Sequence, residues 1–168
     1  MRKVIKALGK IGVGVICLSI FLASSAIAWS GKCIKVQDGD TITVLRDHQQ
    51  VRIRLYGIDC PERRQAFGKR ARQFTARLVF GKIVKIDPVT VDRYGRTIGW
   101  VYVDHPELGR LCLNEELLKA GLAWVYRRYC RNPRMIKLEE EARQAKRGLW
   151  SNPHATPPWQ YRRMKGVK

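Results

Sequence analysis

Residues 51–62 read VRIRLYGIDCPE, and the first five of them decide how the chain folds. Val51, Ile53 and Leu55 alternate with two arginines. Because successive side chains of a strand point to opposite faces, the alternation predicts a strand with one buried face and with Arg52 and Arg54 on the other. The turn that follows carries Asp59 and Glu62, and a proline stiffens it. This stretch therefore predicts a strand that ends in a cluster of charged side chains.

Apolar patterns on both sides of this strand predict four further strands and three helices. The strands are placed at residues 33–36, 41–45, 83–86 and 97–103, and the helices at residues 67–78, 114–122 and 133–149. Asn114 and Asn132 are expected to cap the second and third helices, and Gly121 to stop the second. An α+β fold fits this order: a closed five-stranded β-barrel of the OB-fold type with three α-helices. Such barrels commonly present a nucleic-acid site on one side.

The first 28 residues have the pattern of a signal peptide. Basic residues without an acidic one precede an apolar run at residues 11–28, and Ala26-Ile27-Ala28 is a small-x-small cleavage pattern. We expect cleavage after Ala28 and export to the periplasm or the medium. The run is 18 residues long, at the edge of membrane-spanning length, so an uncleaved membrane anchor is the alternative.

The rest of the chain is long enough for one domain, which we place at residues 29–151, followed by an exposed basic, proline-containing tail at residues 152–168. The whole chain has 33 Lys and Arg against 14 Asp and Glu, a net charge of +19. Removing the four basic residues of the leader leaves a charge near +15. Such an excess favours polyanionic partners through contacts with phosphate groups.

Four cysteines lie outside the leader: Cys33, Cys60, Cys112 and Cys130. An even number of cysteines in an exported chain predicts disulfides, and the spacing leaves all three possible connectivities open. A structural zinc site is not expected, because no pair has the C-x-x-C spacing and the chain has only three histidines.

Two further turns carry charged side chains, residues 38–41 (Asp-Gly-Asp-Thr) and residues 92–96 (Asp-Arg-Tyr-Gly-Arg). Each alone is ordinary turn chemistry. Together with residues 51–62 they supply two arginines and three carboxylates, which could hold one metal ion and one phosphodiester. Cations aimed at a phosphoryl group, with a carboxylate to orient water, are what hydrolysis of a nucleic-acid backbone requires. The groups in question are Asp40, Arg54, Asp59, Glu62 and Arg96.

These motifs, in this order and spacing, resemble the staphylococcal nuclease (thermonuclease) family. The resemblance runs from about Cys33 to Ser151. Besides the motifs quoted above, it includes Asn114-Glu115, Gly121-Leu122-Ala123 and Leu149-Trp150-Ser151.

The resemblance implies a role for each matching residue. Asp40 and Asp59 would bind Ca²⁺ through their side chains, and Cys60 through its backbone carbonyl. Glu62 would act as general base toward the attacking water or would orient it. The scissile phosphate would be held by Arg54 and Arg96. Contacts with the substrate are also expected at Arg93 and Tyr94. The resemblance adds Tyr129 as a contact with a nucleotide.

The chain departs from the type member at three places. Residues 63–65 lead directly into a helix where that member has a longer lysine-rich loop. One of its two tyrosines after Gly-Leu-Ala has no counterpart, because Arg127 stands there. Cys60 replaces a threonine and Cys130 adjoins Tyr129, which suggests a Cys60–Cys130 bridge and, by remainder, Cys33–Cys112.

We therefore expect an exported, Ca²⁺-dependent, sugar-nonspecific endonuclease that hydrolyses DNA and RNA and leaves 3′-phosphate ends. We expect a monomer without a stable protein partner, bound to a membrane only if the leader is uncleaved. One alternative is a non-catalytic OB-fold protein that binds nucleic acid without cutting it. A basic protein bound to anionic lipid or cell wall is the second, and it predicts that salt, but not a chelator, abolishes every activity.

Overall fold

The computed structural model describes residues 27–166 and contains eight strands and four α-helices in that part of the chain. The strands are β1 (Trp29–Val36), β2 (Thr41–Arg46), β3 (Gln49–Leu55), β4 (Ile58–Asp59), β5 (Ile83–Val91), β6 (Thr97–His105), β7 (Gly109–Cys112) and β8 (Trp124–Val125). The helices are α1 (Gly68–Val79), α2 (Leu113–Lys119), α3 (Pro133–Gln144) and α4 (Pro158–Met164), with a 3₁₀ turn at Gly148–Ser151.

Five of the strands close into a barrel. β1 pairs antiparallel with β2 and β5, β2 with β3, and β5 with β6. The barrel closes where β3 runs parallel to β6, with Ile53 opposite Thr97 and Leu55 opposite Gly99. β7 extends the sheet beyond β6. The predicted α+β fold, a five-stranded OB-type barrel with helices packed on it, is confirmed.

The alternation along β3 is as predicted. Ile53 and Leu55 are buried in the core, while Arg52 is exposed and Arg54 is half-buried. The same core takes apolar side chains from every barrel strand and from α1, α2 and α3. Because the barrel interior is filled by side chains, the charged groups at the end of β3 stand on a rigid support.

The predicted helix ends are partly correct. Asn132 caps α3 by accepting hydrogen bonds from the backbone N–H of Arg134 and Met135, and Gly121 follows α2 with a positive φ of 65°. Asn114 is not a cap, because α2 already begins at Leu113. Its buried side chain instead accepts from the N–H of Val101 and donates to the carbonyl of Tyr56, which joins β6 to the end of β3.

A second, two-stranded sheet connects the barrel to the helices. β4 pairs antiparallel with β8, so that Asp59 lies opposite Trp124. On the other side, the buried Glu139 of α3 accepts a hydrogen bond from the N–H of Val125 at 2.9 Å. Asp59 is therefore fixed by elements from both halves of the chain.

The basic tail predicted at residues 152–168 contains a helix that the sequence analysis did not predict, since residues 158–164 form α4. Pro158 stands at the first helical position, where its missing N–H costs nothing, and its side chain is buried. The ring of Trp159 packs edge-on against Trp124, with the centroids 5.9 Å apart. This apolar contact holds α4 against β8.

The predicted disulfides are absent, since all four described cysteines are free. Each thiol packs among different neighbours: Cys60 beside Gly39 and Cys130 beside Gly57 and Met135. The predicted Cys60–Cys130 and Cys33–Cys112 bridges are therefore corrected to four buried or half-buried thiols. The leader, residues 1–26, lies outside the described residues. None of the helices within residues 27–166 is long and apolar enough to cross a bilayer.

Candidate active site

The turn between β1 and β2 brings Asp40 into the interior. Gly39 makes this possible, because a Cβ at that position would meet Cys60 and Ala71 at 2.8 Å. Asp40 is 1 % exposed. Its carboxylate accepts hydrogen bonds from the Thr41 hydroxyl at 3.2 Å and from the backbone N–H of Cys60 at 2.7 Å. The turn at residues 38–41, ordinary in the sequence, therefore carries a buried carboxylate that links the barrel to the β4–α1 loop.

Arg54 lies between two buried carboxylates. One terminal nitrogen of its guanidinium donates to Asp40, and the other donates to Asp59 at 2.7 Å. Asp59 is fully buried, and the Arg54 side chain is 18 % exposed. The strand register explains the first pair, since Arg54 of β3 stands opposite Thr41 of β2, the residue next to Asp40.

Burial and neighbouring charges shift the pKa values of Asp40 and Arg54. Burial is the largest influence on Asp40 and raises its pKa well above the usual range, although the positive charge of Arg54 acts in the opposite direction. Burial lowers the pKa of Arg54, but Asp40 and Asp59 outweigh it and raise that pKa above its ordinary value. Arg54 therefore stays cationic between the two carboxylates.

Glu62 lies at the open side of this cluster, on the loop between β4 and α1. Its own N–H donates to the side chain of Gln65, and its carbonyl accepts from the N–H of the same residue at 2.8 Å. A side chain at Gly68 would collide with the carbonyl of Glu62. The Glu62 side chain is 39 % exposed, so it is accessible to water, unlike Asp40 and Asp59.

Arg162 of α4 also enters the site, and the sequence analysis missed it. Its guanidinium donates to Asp59 at 2.7 Å and to Glu62 at 2.6 Å. Burial lowers the pKa of Arg162, but the hydrogen bonds to both carboxylates outweigh this and raise it. The available signal was Pro158 followed by Trp159 and Arg162, since a proline at a helix start and a three-residue spacing put both side chains on one face.

Arg96 immediately precedes β6, and its guanidinium is turned toward the turn at residues 92–96. It pairs with Asp92 at 2.7 Å, and the Asp92 carboxylate also accepts from the backbone N–H of Tyr94. Partial burial raises the pKa of Asp92, but these hydrogen bonds outweigh it and lower the pKa. Because Arg54 is opposite Ile98, alternation places Arg96 on the same face as Arg54.

The structure thus brings four of the five predicted groups into one chain of ion pairs, and the fifth, Arg96, is not part of that chain. Asp40, Arg54 and Asp59 are in direct contact, and Arg162 links Asp59 to Glu62. Arg96 makes its described ion pair with Asp92 instead.

The predicted nucleotide contacts are exposed aromatic and basic side chains on two sides. Tyr94 is 58 % exposed, and the Arg93 and Arg96 guanidiniums lie over its ring at 5.0 and 5.5 Å. Tyr129 is 61 % exposed and packs edge-on against Tyr126, with the ring centroids 5.0 Å apart. Tyr129 follows β8, the strand that pairs with β4 and hence with Asp59.

No group of three or more His, Cys, Asp or Glu side chains among residues 27–166 is arranged as a metal site. Asp40 and Asp59 nevertheless converge on one cation, Arg54, and Asp59 and Glu62 converge on a second, Arg162. Carboxylate oxygens are the donors that hard divalent ions prefer. The donor set therefore fits such an ion if part of its shell comes from backbone carbonyls, water or phosphate.

An open basic cavity of about 390 Å³ lies next to Glu62, between its loop and α1. Its lining includes four cations and no carboxylate, and none of the four has an ion pair with a described residue. The lining side chains are Arg63, Arg64, Lys69, Arg72 and Gln73.

Comparison with known proteins accounts for this arrangement. The family model described as "Staphylococcal nuclease homologue" matches residues 52–152, which include Arg54, Asp59, Glu62 and Arg96. The chain belongs to the staphylococcal nuclease family. The predicted resemblance is thereby confirmed, and with it the prediction that the enzyme is a nuclease, which is a hydrolase.

Several proteins are similar to this chain over most of their length. A protein of Escherichia coli named ParB is 46 % identical over 155 residues, 87 % of each chain. A micrococcal nuclease of Shigella flexneri is 41 % identical over 157 residues, which covers 88 % of this chain and 90 % of the relative. An uncharacterized endonuclease of Escherichia coli O157:H7 is 42 % identical over 135 residues, covering 80 % and 86 %.

Proposed function

We propose that the protein is an exported, Ca²⁺-dependent endonuclease that hydrolyses phosphodiester bonds of DNA and RNA with little preference for the sugar and leaves 3′-phosphate ends. The observation that carries the proposal is the buried Asp40–Arg54–Asp59 group, which opens onto the accessible Glu62. A binding module has no use for a carboxylate that faces a polyanion at this position.

The residues of the site divide the work of the reaction. Glu62 accepts a proton from the attacking water, because it is the one carboxylate of the group with substantial exposure. Arg54 and Arg96 neutralise the charge that develops on the phosphoryl oxygens, and their planar guanidiniums suit two-point contacts with phosphate. To do so, Arg96 exchanges its partner Asp92 for the substrate.

Asp40 and Asp59 are the residues that would hold Ca²⁺, with the backbone carbonyl of Cys60 as a further ligand. Bound there, the ion supplies a Lewis acid that stabilises negative charge on phosphate. The choice of calcium follows from the family and from the all-oxygen donor set, since calcium accepts irregular shells with several water ligands.

The uncompensated cations next to Glu62 support a polyanionic substrate. Arg63, Arg64 and Lys69 are exposed and begin directly after the proposed base. Arg63 and Arg64 stand where the type member of the family has its longer lysine-rich loop, and Lys69 lies in α1. Phosphates that flank the scissile bond are expected to lie along this surface, because such contacts bind any sequence equally well.

Cleavage assays with a Glu62→Gln variant test the proposal. Supercoiled plasmid and single-stranded RNA are incubated with the purified protein in Ca²⁺ and in a chelator. We expect both to be degraded only with Ca²⁺, and the variant to be slower by about 10²–10⁴, the usual contribution of a general base.

Glu107→Gln is the matched control, because Glu107 is an exposed glutamate on the β6–β7 loop, and its activity should equal that of the unmodified protein. Nucleic-acid binding without cleavage by the unmodified protein would instead establish the non-catalytic module. Cleavage that persists in the chelator would exclude the role assigned to calcium.

The export part of the proposal depends on the leader and has its own test. N-terminal sequencing of protein recovered from the periplasm or the medium should begin at Trp29. A mature chain that retains the leader and sediments with membranes would favour the anchor. The expected monomeric state stays a prediction, which the mass measured by light scattering checks.

A further inference from the structure

Residues 156–165, which contain α4 and which we name the strap, lie across the site. The side chain of Gln65 donates to the carbonyl of Thr156 at 2.6 Å, and the hydroxyl of Tyr161 donates to the carbonyl of Arg64 at 3.3 Å. Gln65, which donates the first of these hydrogen bonds, and Arg64, which accepts the second, both belong to the loop that carries Glu62. The strap is therefore attached to the loop at two points besides Arg162.

Arg162 donates hydrogen bonds to the carboxylate oxygens that the proposed reaction requires. Oδ2 of Asp59 accepts from Arg162 at 2.7 Å, and Oδ1 accepts from both Arg54 and Arg162. Oε1 of Glu62 accepts from Arg162 at 2.6 Å. Since Asp59 is fully buried and both of its oxygens are occupied, a cation cannot bind them while Arg162 stays in place. Oε1 of Glu62 is likewise occupied by Arg162 where it would have to receive the proton of the attacking water.

Trp159 of the strap covers the aromatic side of the site. Its ring stacks on Tyr126, with centroids 5.3 Å apart and planes at 10°. Tyr126 in turn contacts Tyr129, the exposed ring proposed to contact nucleotides. Parallel stacking on an aromatic face is also how a base of single-stranded nucleic acid binds. The strap thus places a cation on the carboxylates and a flat ring beside the nucleotide surface.

We infer that the strap is a built-in competitor of the nuclease site, which a divalent cation and nucleic acid must displace together before the substrate is cut. The inference rests on the proposed function, because that function makes Asp59 a metal ligand and Glu62 the base. Arg162 of the strap occupies the proposed metal ligand Asp59 and the proposed base Glu62 at the same time. A helix with only a structural role could pack on Trp124 without directing an arginine at these two carboxylates.

Calcium binding measured by calorimetry on the full chain tests the inference without any cleavage. If the strap is open in about one molecule in ten, Arg162→Gln should tighten the apparent Kd for Ca²⁺ about tenfold, because the competent state is then always available. Arg163→Gln is the matched control, since Arg163 lies on the same helix, is exposed and has no ion pair with a described residue. It should leave the Kd unchanged.

Hydrogen–deuterium exchange provides the second readout. Amides of residues 159–164 should exchange faster when Ca²⁺ and a phosphorothioate oligonucleotide, which resists cleavage, are both present. Circular dichroism melting of the Arg162→Gln protein checks that the variant is folded. The inference is overturned if the variant binds Ca²⁺ no more tightly than the unmodified protein, or if the strap becomes more protected when the ligands bind.

The two proposals fail in different ways. If the unmodified protein binds Ca²⁺, releases the strap and cleaves nothing, the proposed function is wrong and the strap still competes with the cation. If the protein cleaves normally but Arg162→Gln lowers kcat with an unchanged Kd for Ca²⁺, the strap is not a competitor, and Arg162 is instead a cation of the reaction.

Discussion

At the scale of single residues, the cysteines show how far burial changes ordinary chemistry. Burial raises the pKa of the Cys33 and Cys112 thiols to about 11, and it raises the pKa of Cys60 as well. Only the thiolate is a good nucleophile, so a buried neutral thiol reacts slowly. Cys60 lies beside the proposed metal ligand Asp59, and its thiol is inert there.

We predict that iodoacetamide at pH 8 leaves Cys33, Cys60 and Cys112 unmodified in the folded protein and alkylates them all in denaturant. The folded pKa values exceed the ordinary value near 9, so these thiols contribute stability below about pH 9 that is lost as the pH rises toward 11. Mass spectrometry of tryptic peptides counts the modified thiols. Cysteines that stay unmodified in denaturant until a reductant is added would show disulfides instead.

At the scale of elements, Glu139 shows how a helix fixes the site from a distance. It is 1 % exposed, accepts from the N–H of Val125 in β8 and pairs with Arg127 at 2.7 Å. β8 in turn holds Asp59 through the β4–β8 pairing. A carboxylate that never meets substrate therefore sets the position of one that is proposed to bind the metal.

We predict that Glu139→Ala lowers the free energy of unfolding by about 1–3 kcal/mol, because it leaves the buried N–H of Val125 without a partner. Urea denaturation followed by tryptophan fluorescence measures the change. Glu140→Ala, one residue away and exposed, serves as the control and should change stability by less than about 0.5 kcal/mol. Equal stability of the two variants would show that the Glu139 contacts contribute nothing.

The sequence predicted elements with regular patterns and missed those that depend on tertiary contacts. Strand β3 was predicted from the alternation of residues 51–55, and the start of α3 from Asn132-Pro133, because both signals are local in the sequence. Asn114 reads as a cap from its neighbours, yet its side chain joins two barrel segments that are distant along the chain. The grouping of Asp40, Arg54 and Asp59 was predicted from the charged residues at the strand ends, and the family resemblance gave each of them a role. A helix carrying Arg162 could have been predicted from Pro158, but not the contacts of Arg162 with Asp59 and Glu62, because those residues precede it by about 100 residues.

At the scale of the whole molecule, the excess of positive charge is unevenly compensated. Several basic side chains pair with acidic ones, such as Arg110 with Asp104 and Lys137 with Glu141. The cavity beside Glu62 is lined by cations that have no such partner among the described residues. Binding of nucleic acid should therefore depend on salt chiefly through this surface.

We predict that Arg64→Gln with Lys69→Gln reduces the slope of log Kd against log salt by about 1.4, since each phosphate contact with a single strand contributes about 0.7. Fluorescence anisotropy with a labelled single strand and the Glu62→Gln protein measures binding without cleavage. Arg110→Gln with Lys137→Gln removes the same charge from compensated positions and should leave the slope unchanged. Equal slopes for both double variants would place the phosphate path elsewhere.

The parallel contact between β3 and β6 also has a kinetic consequence. Arg54 and Arg96 reach the same face only through this pairing, which joins distant parts of the chain, whereas the β1–β2 and β2–β3 hairpins are local. Distant pairings form slowly, because the loop between them must be ordered first. During refolding, the amides of the two hairpins should therefore become protected from exchange before any nuclease activity appears. Activity should return only when β3 and β6 have paired.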